Sequence, residues 1–253
     1  MGSALARGLL GAGWDARDIT ITETRPQRRV ELADDVPGVA IVARVADGEG
    51  ASGAVLAVKP ADAETASRSL SELSVRRVLS IAAGVTTARL ESWLAPPTAV
   101  VRAMPNTPAT VGAGMSAVSP GSRAGEADLV WAEEILGAVG RVVRLPEVSL
   151  DAVTGLAGSG PAYVFLVAEA LMAAGVEAGL DPETSRLLTV QTVAGAGQLL
   201  AESGQEPERL RAEVTSPGGT TEAGVEVLER RGLRAAFSEA VRRATERSRE
   251  LGG

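Results

Sequence analysis

The sequence predicts an α/β fold in two parts: a parallel sheet with crossover helices, followed by an all-helical half. Two observations indicate this. From Ile19 to about Pro146, short apolar runs alternate with stretches of helical spacing, which is typical of strands joined by helices. After Pro146 the strand-like runs stop, and apolar residues recur three and four positions apart to the carboxyl terminus. We therefore expect two domains, residues 1–146 and 147–253.

The predicted strands of the first half are short, mostly apolar runs. They are residues 19–22, 54–58, 78–81 and 99–102, with later strands at 114–118 and 141–144 near the sheet edge. The helical stretches are residues 3–11, 87–94 and 124–136.

The second half is predicted to be helical throughout. Its helices are residues 162–180, 182–202, 207–214, 222–231 and 233–251. Asp181 followed by Pro182 indicates a helix start, because aspartate caps the first turn and proline lacks an N–H that would be unpaired there.

The two long helices of residues 162–202 carry apolar or small residues on more than one face. The apolar residues of the second helix are Leu187, Leu188, Val190, Val193, Leu199 and Leu200. A helix that is apolar all round must be covered all round. One small domain offers too few neighbours, so the pattern favours a homodimer through the C-terminal helices. A crowded monomer core is the alternative.

The composition excludes several classes of function. The 253-residue chain has a net charge of -7 and no basic block, which argues against a nucleic-acid partner. It has no cysteine, so disulfides and thiol catalysis are excluded. It has no histidine, which excludes Ser-His-Asp triads and most zinc sites, and we expect no metal.

The sequence shows no targeting segment. Its first residues lack the basic-then-apolar layout of a secretory signal. The most apolar stretch, Ala162–Val176, is interrupted by Glu169 and is too short to span a bilayer. We expect a cytoplasmic protein with no membrane partner.

The most informative segment is the turn formed by residues 215–221, Thr-Ser-Pro-Gly-Gly-Thr-Thr, before a predicted helix. A helix start leaves backbone N–H groups unpaired at the positive end of the helix dipole. Gly218 and Gly219 would let a small anion such as a carboxylate approach the backbone closely. An ordinary capped turn is the alternative.

Four further motifs precede this turn. They are Ala57-Val58-Lys59-Pro60, Ser80-Ile81-Ala82-Ala83-Gly84-Val85, Arg102-Ala103-Met104-Pro105-Asn106-Thr107-Pro108 and Gly158-Ser159-Gly160-Pro161-Ala162-Tyr163. In this order, the five motifs resemble the pyrroline-5-carboxylate reductase family, which makes proline from a cyclic imine. The resemblance runs from Met1 to near Leu251.

The resemblance implies a Rossmann-type parallel sheet lacking its first strand, followed by an all-helical, substrate-binding dimerisation domain. Gly2 matches the third glycine of the G-x-G-x-x-G fingerprint, so the first strand and the first two glycines are missing. That strand is central in this fold. The folding free energy lost with it would be comparable to the whole net stability of a domain. We expect either a native start upstream of Met1 or a truncated, inactive copy.

The resemblance also implies NADPH as cofactor, with NADH possible. Glu23, near the end of the second strand, would favour the ribose hydroxyls of NAD, whereas Arg25 would clamp a 2'-phosphate. The expected cofactor-binding residues are Gly2, Ser3, Arg25, Val58, Lys59, Pro60, Ala82, Ala83, Gly84 and Asn106.

The reaction that the resemblance implies is hydride transfer to the C=N carbon of 1-pyrroline-5-carboxylate. The backbone N–H groups of Gly218 and Gly219 would hold the carboxylate, with Thr220 in the same substrate-binding turn. The Thr221 hydroxyl would bond the ring nitrogen, and Ser159 would border the reacting carbon. A cyclic imine can be protonated before it binds, which suits a chain without histidine or cysteine.

Three other functions compete with this interpretation. A β-hydroxyacid dehydrogenase relies on a lysine in the helical half, but no lysine follows Lys59. A ketol-acid reductoisomerase needs clustered carboxylates for magnesium, and no compelling spacing is present. A non-catalytic dimeric scaffold that has lost its nucleotide site is the alternative from another class. The homodimer could also assemble into a higher oligomer of dimers.

Overall fold

The computed structural model describes residues 1–48 and 50–252. The chain forms two compact units, Met1–Ser159 with Arg242–Gly253, and Gly160–Val241. The first unit is α/β and the second is helical. This division falls later than the predicted boundary at residue 146, because residues 147–159 pack with the sheet. Leu150, for example, is fully buried.

The strands of the first unit form two separate sheets. Their bounds are β1 Thr20–Thr22, β2 Ala40–Val42, β3 Gly53–Leu56, β4 Arg77–Ser80, β5 Ala99–Met104, β6 Gly114–Pro120 and β7 Gly140–Arg144. The smaller sheet has the order β1-β2, and the larger has the order β3-β4-β5-β6-β7. β2 was not predicted from the sequence, because one exposed and two half-buried residues carry little periodic signal.

The break between the two sheets lies where the fold normally has its first strand. β1 pairs in parallel with β2, and β3 pairs in parallel with β4. A doubly wound sheet places its first strand between the second and the fourth, which correspond here to β1 and β3. Within the described residues, no strand pairs with the other edge of β1 or of β3. The predicted sheet that lacks its first strand is confirmed.

One pairing in the larger sheet is antiparallel. β5 runs antiparallel to β6, with Val101 opposite Pro120 and Met104 opposite Ala117. The segment between these two strands, residues 105–113, is shorter than the dozen or so residues of a parallel crossover. The predicted parallel sheet is confirmed, but the reversed direction of this one pair was not foreseen from the sequence.

Helices cover the larger sheet and bury its centre. In the first unit they are α1 Gly2–Gly11, α2 Pro26–Asp35, α3 Ala63–Glu72, α4 Thr87–Trp93, α5 Glu126–Gly137 and α6 Leu150–Val153. Leu5 and Leu9 of α1 pack in one cluster with Leu79, Val101 and Leu136. Burial of an aliphatic side chain contributes roughly 1.5–3 kcal/mol, so α1 is held mainly by this apolar face.

A π-helix, Thr154–Gly158, follows α6. The remaining helices are α7 Gly160–Glu177, α8 Pro182–Glu202, α9 Pro207–Glu213, α10 Thr220–Arg230 and α11 Leu233–Gly252. Asp181 caps α8 by accepting hydrogen bonds from the N–H groups of Glu183 and Thr184, at 3.1 and 3.0 Å. The start signal at residues 181–182 is confirmed.

α7 and α8 pack closely but leave much apolar surface exposed. The Ser185 hydroxyl donates to the Met172 carbonyl at 2.7 Å, and a Cβ on Gly175 would stand 2.2 Å from that hydroxyl oxygen. The exposed apolar side chains of α7 and α8 include Phe165, Leu166, Leu187, Leu188 and Leu199. These helices therefore present a broad face that the chain itself does not cover.

The helical stretch Glu147–Glu177 has 31 residues and contains an 18-residue window with a mean hydropathy of 1.4, so it is long and apolar enough to cross a membrane by length and composition alone. The sequence analysis counted a shorter stretch, because it began at Ala162 and did not include the helical turns before it. A subunit interface needs the same kind of apolar helix surface.

Candidate active site

The start of α1 lies against the carboxyl end of β3. A Cβ on Gly2 would stand 3.2 Å from the Cβ of Ala57, which is tighter than ordinary van der Waals contact. The third glycine of a dinucleotide fingerprint serves this close packing of helix on strand. The close approach at Gly2 is of the kind that the third fingerprint glycine makes, and its role in binding a nicotinamide dinucleotide stays a prediction.

Glu23 and Arg25, the two residues that were expected to determine the preference between NADH and NADPH, form an ion pair with each other. Arg25 Nε and Nη2 donate to the Glu23 carboxylate at 3.1 and 3.0 Å. These bonds from Arg25 lower the pKa of Glu23 below its usual range, against a smaller opposing effect of burial. The Arg25 side chain is 73% exposed. A phosphate on the ribose would therefore compete with Glu23 for this guanidinium.

Ser3 lies beside the same basic segment. Its hydroxyl oxygen accepts a hydrogen bond from Arg28 Nη2 at 3.5 Å. Arg28 also pairs with Glu31 at 2.7 Å. The α1 start and the α2 start are thus linked by side chains at the end of β1.

Val58, Lys59 and Pro60 follow the carboxyl end of β3 and are exposed, and a short 3-10 helix begins at Pro60. Lys59 has an extended backbone there, with φ -63 and ψ 148. This segment stands at the edge where an open α/β sheet binds its ligands.

The next strand, β4, ends in a tight turn of small residues. Ala82 is buried and Ala83 is exposed. Gly84 has φ +75, a left-handed conformation that favours glycine. A Cβ on Gly84 would also stand 3.3 Å from the backbone of Leu251 and Gly252, so the end of α11 lies against this turn.

Asn106 follows β5, and its carboxamide is bonded on both sides to backbone. Its Oδ1 accepts from the Met115 N–H at 2.9 Å, and its Nδ2 donates to the Ala157 carbonyl at 3.0 Å. One Nδ2 hydrogen remains for another acceptor. The sequence analysis expected a cofactor contact and did not foresee these two bonds.

Ser159 directly follows the π-helix. Its N–H donates to the Thr154 carbonyl at 2.8 Å, which closes that helix. The residue is half-buried and belongs to the first compact unit. The turn of residues 215–221, which was predicted to bind the substrate, belongs to the second unit.

The turn of residues 215–221 ends at the start of α10. Gly218 has φ +71, and Gly219 is the residue before the first helical turn. A Cβ on Gly219 would stand 2.8 Å from the Ser216 carbonyl oxygen, so this position also favours glycine. Thr220 and Thr221 follow as exposed residues of the first turn.

A carboxylate of the chain itself is bound at this turn. Glu222 Oε2 accepts a hydrogen bond from the Gly218 N–H at 2.7 Å. The Gly219 N–H instead donates to the Ser216 carbonyl at 2.9 Å. The sequence analysis missed Glu222, although its place three residues after Gly219 is the spacing of a capping-box acid.

Over residues 1–48 and 50–252, no group of three or more Asp, Glu, His or Cys side chains is placed to hold a metal ion.

Two family models match the chain. The model described as pyrroline-5-carboxylate reductase dimerisation matches residues 147–251, and the one described as NADP oxidoreductase, coenzyme F420-dependent, matches residues 1–84. The pyrroline-5-carboxylate reductase of Synechocystis is 49% identical over 199 residues, 78% of this chain and 74% of the relative. That of Methanosarcina acetivorans is 42% identical over 266 residues, 100% of this chain and 94% of the relative.

Solved structures agree with these matches. A pyrroline-5-carboxylate reductase from Coxiella burnetii has a TM-score of 0.94 at 37% identity, covering 100% of this chain and 95% of that chain. Plasmodium falciparum pyrroline carboxylate reductase with NADP bound has a TM-score of 0.87 at 28% identity, with the same coverage. An archaeal NADH-preferring ketol-acid reductoisomerase, at 17% identity and a TM-score of 0.65, shares the fold alone. The chain therefore belongs to the pyrroline-5-carboxylate reductase family, a family of oxidoreductases.

Proposed function

We propose that the chain reduces 1-pyrroline-5-carboxylate to L-proline, with NADPH as the preferred reductant. The observation that carries this proposal is the Gly218 N–H, which binds a carboxylate oxygen of Glu222 at 2.7 Å. An N–H group that binds the carboxylate of a side chain can also bind the carboxylate of a substrate. The start of α10 adds the positive end of a helix dipole, which favours an anion there. Family membership over the whole chain supports the assignment of this donor to a substrate carboxylate.

Each proposed residue has one task. The N–H groups of Gly218 and Gly219 would exchange their bonds to Glu222 and Ser216 for bonds to the substrate carboxylate, and Thr220 belongs to the same substrate-binding turn. The Thr221 hydroxyl hydrogen-bonds the ring nitrogen as it becomes an amine, and Ser159 borders the carbon that is reduced. Because the imine can arrive protonated, orientation rather than proton donation is the main task of these groups.

The nicotinamide cofactor, when bound, supplies the hydride. Gly2 and Ser3 would hold its pyrophosphate at the start of α1, because the close packing of Gly2 on β3 fits a dinucleotide. Val58, Lys59, Pro60, Ala82, Ala83, Gly84 and Asn106 would line its path. Arg25 would bind the 2'-phosphate that distinguishes NADPH from NADH.

We also propose a homodimer that forms through the C-terminal helices and assembles further into an oligomer of dimers, in the cytoplasm. The exposed apolar side chains of α7 and α8 and the dimerisation model that matches residues 147–251 support the dimer. Residues 1–146 would bind the dinucleotide, and residues 147–253 would bind substrate and the partner subunit.

The proposal is tested by following NADPH oxidation with pyrroline-5-carboxylate. Two proteins are compared: this chain, and a version extended before Met1 by a strand of about six apolar residues and a Gly-x-Gly turn. Turnover by either protein supports the reductase. If both proteins fold and neither oxidises NADPH, the non-catalytic scaffold is the better description.

Thr221→Ala tests the proposed mechanism in whichever protein is active. We expect kcat to fall by about tenfold or more with little change in NADPH affinity, because a bond that strengthens in the transition state is lost. Thr65→Ala, at an exposed threonine of α3, is the matched control. A kcat unchanged by Thr221→Ala would remove this hydroxyl from the mechanism.

A further inference from the structure

Asn106 joins two segments of the first unit that lie far apart in the sequence. Its carboxamide accepts from the Met115 N–H at the start of β6 and donates to the Ala157 carbonyl inside the π-helix. The two bonds are 2.9 and 3.0 Å long, and Asn106 is half-buried. One side chain therefore fixes the π-helix to the loop that follows β5.

A second contact places the π-helix at the end of β5. A Cβ on Gly158 would stand 2.6 Å from Cε of Met104, the last residue of that strand. A larger residue at position 158 would displace the flexible end of the Met104 side chain. The neighbouring Ser159 N–H donates to the Thr154 carbonyl at 2.8 Å and completes the π-helix.

A π-helical turn is rare, since its geometry is less favourable than that of an α-helix, and it is often found at functional sites. Such a turn persists where tertiary contacts hold it. The bonds of Asn106 are contacts of this kind. Without them, the path of residues 154–158 is less restrained, and the backbone of Ser159 moves with it.

We propose that Asn106 is a positioning residue for Ser159: its carboxamide holds the π-helix so that Ser159 is presented at the carboxyl end of β5. This inference rests on the proposed function, which places Ser159 beside the reacting carbon. The two bonds require one acceptor and one donor on the same planar group, which a carboxamide supplies. An ionised carboxylate has the same shape but only acceptors, so it would face the Ala157 carbonyl with a negative oxygen.

Asn106→Asp turns this requirement into a test that depends on pH. The variant and the wild type are compared from pH 7.5 to pH 5, by hydrogen exchange of the Ser159 amide and by turnover of NADPH with pyrroline-5-carboxylate. At pH 7.5 we expect faster exchange and a kcat about tenfold to a hundredfold lower. Ratios of variant to wild type at each pH cancel the titration of the imine.

Lowering the pH should rescue the variant. The introduced carboxyl is half-buried beside a carbonyl oxygen, and both features raise its pKa. Once protonated, it donates to the Ala157 carbonyl, so slow exchange and kcat should both return towards wild type. Asn106→Ala, which has no donor at any pH, should lose kcat at pH 7.5 and show no recovery at pH 5.

Thr110→Ala is the matched control, because its hydroxyl donates to the Thr107 carbonyl within the same loop and the residue is exposed. It should match the wild type throughout. Exchange of the Ser159 amide that is unchanged in both Asn106 variants would overturn the proposal, as would faster exchange with normal kcat. A wild type that folds but does not turn over refutes the proposed function, and the proposed effect of Asn106 on turnover is refuted with it.

Discussion

Replacing Glu147 by alanine should destabilise the first unit, because this carboxylate joins three elements. Its Oε1 accepts from the Thr87 N–H at 2.8 Å, and its Oε2 accepts from the Thr87 hydroxyl at 2.6 Å. Arg102 Nη1 of β5 also donates to Oε1 at 3.0 Å. The Glu147 side chain is 29% exposed and that of Arg102 only 8%. The substitution leaves a buried guanidinium without its carboxylate.

The structure allows the size of this loss to be estimated. Breaking a buried ion pair by removing one partner costs about 3–5 kcal/mol, and Glu147 is near the lower end because it is partly exposed. We expect a loss of about 3 kcal/mol, which corresponds to a fall in melting temperature of about 6–12 °C for a unit of this size. Glu147→Gln keeps the shape and an acceptor for Arg102, so its loss should be smaller, about 1–2 kcal/mol.

The same contacts predict a pH dependence. Burial acts to raise the pKa of Glu147, but the bonds from Thr87 and Arg102 outweigh it and hold the pKa below its usual range. A depressed pKa stabilises the fold above the unfolded value for glutamate, about 4.3, and the contribution disappears as pH falls through the folded value. The stability difference between wild type and Glu147→Gln should be constant from pH 7 to about pH 5 and shrink below that.

Urea unfolding followed by tryptophan fluorescence measures this directly, since Trp14, Trp93 and Trp131 all lie in the first unit. The midpoint should fall while the slope of free energy against urea stays the same. Glu64→Ala is the control, because Glu64 pairs with Arg68 on the surface and should cost less than about 1 kcal/mol. A Glu147→Ala loss no larger than this control would refute the reasoning.

Three other substitutions test the site. Gly2→Val should raise the dissociation constant for NADPH, because a side chain at this position is too close to β3. Gly11→Ala, with open space at the other end of α1, is the control and should leave the constant unchanged. Both constants are measured by fluorescence titration. Glu222→Ala should lower the KM for pyrroline-5-carboxylate severalfold, since it frees the Gly218 N–H, and an unchanged KM would count against that donor. Arg25→Ala should raise the KM for NADPH more than that for NADH, and equal effects would exclude a 2'-phosphate contact.

Much of the fold could be predicted because the decisive signals are local. The strands β4 and β5 are nearly continuous apolar runs, and Val78, Leu79, Val100 and Val101 are fully buried. The start of α8 follows from one aspartate and the next proline. The missed strand β2 has one exposed and two half-buried residues, and the antiparallel direction of β6 depends on the length of its connection rather than on its own sequence.

Some features of the candidate site could likewise be predicted from the sequence, and others could not. Glycines at positions 2, 84 and 218 could be recognised from their motifs, because a close approach or a left-handed backbone restricts the residue type at that position itself. The hydrogen-bond partners of charged and amide side chains could not be predicted from the sequence. Glu23 and Arg25 were expected to compete for the cofactor, and the structure pairs them with each other.

By itself, the sequence determined the α/β and all-helical halves, the family, the missing strand and the glycine-rich turn before α10. Only the tertiary structure decided that the sheet stands in two pieces, that Glu222 binds the Gly218 N–H, and that Asn106 holds the π-helix before Ser159. The physical reason is the distance along the chain between the residues that interact. Backbone conformation and apolar periodicity are set within a few residues, whereas the partner of a side-chain hydrogen bond depends on which distant segments the fold brings together.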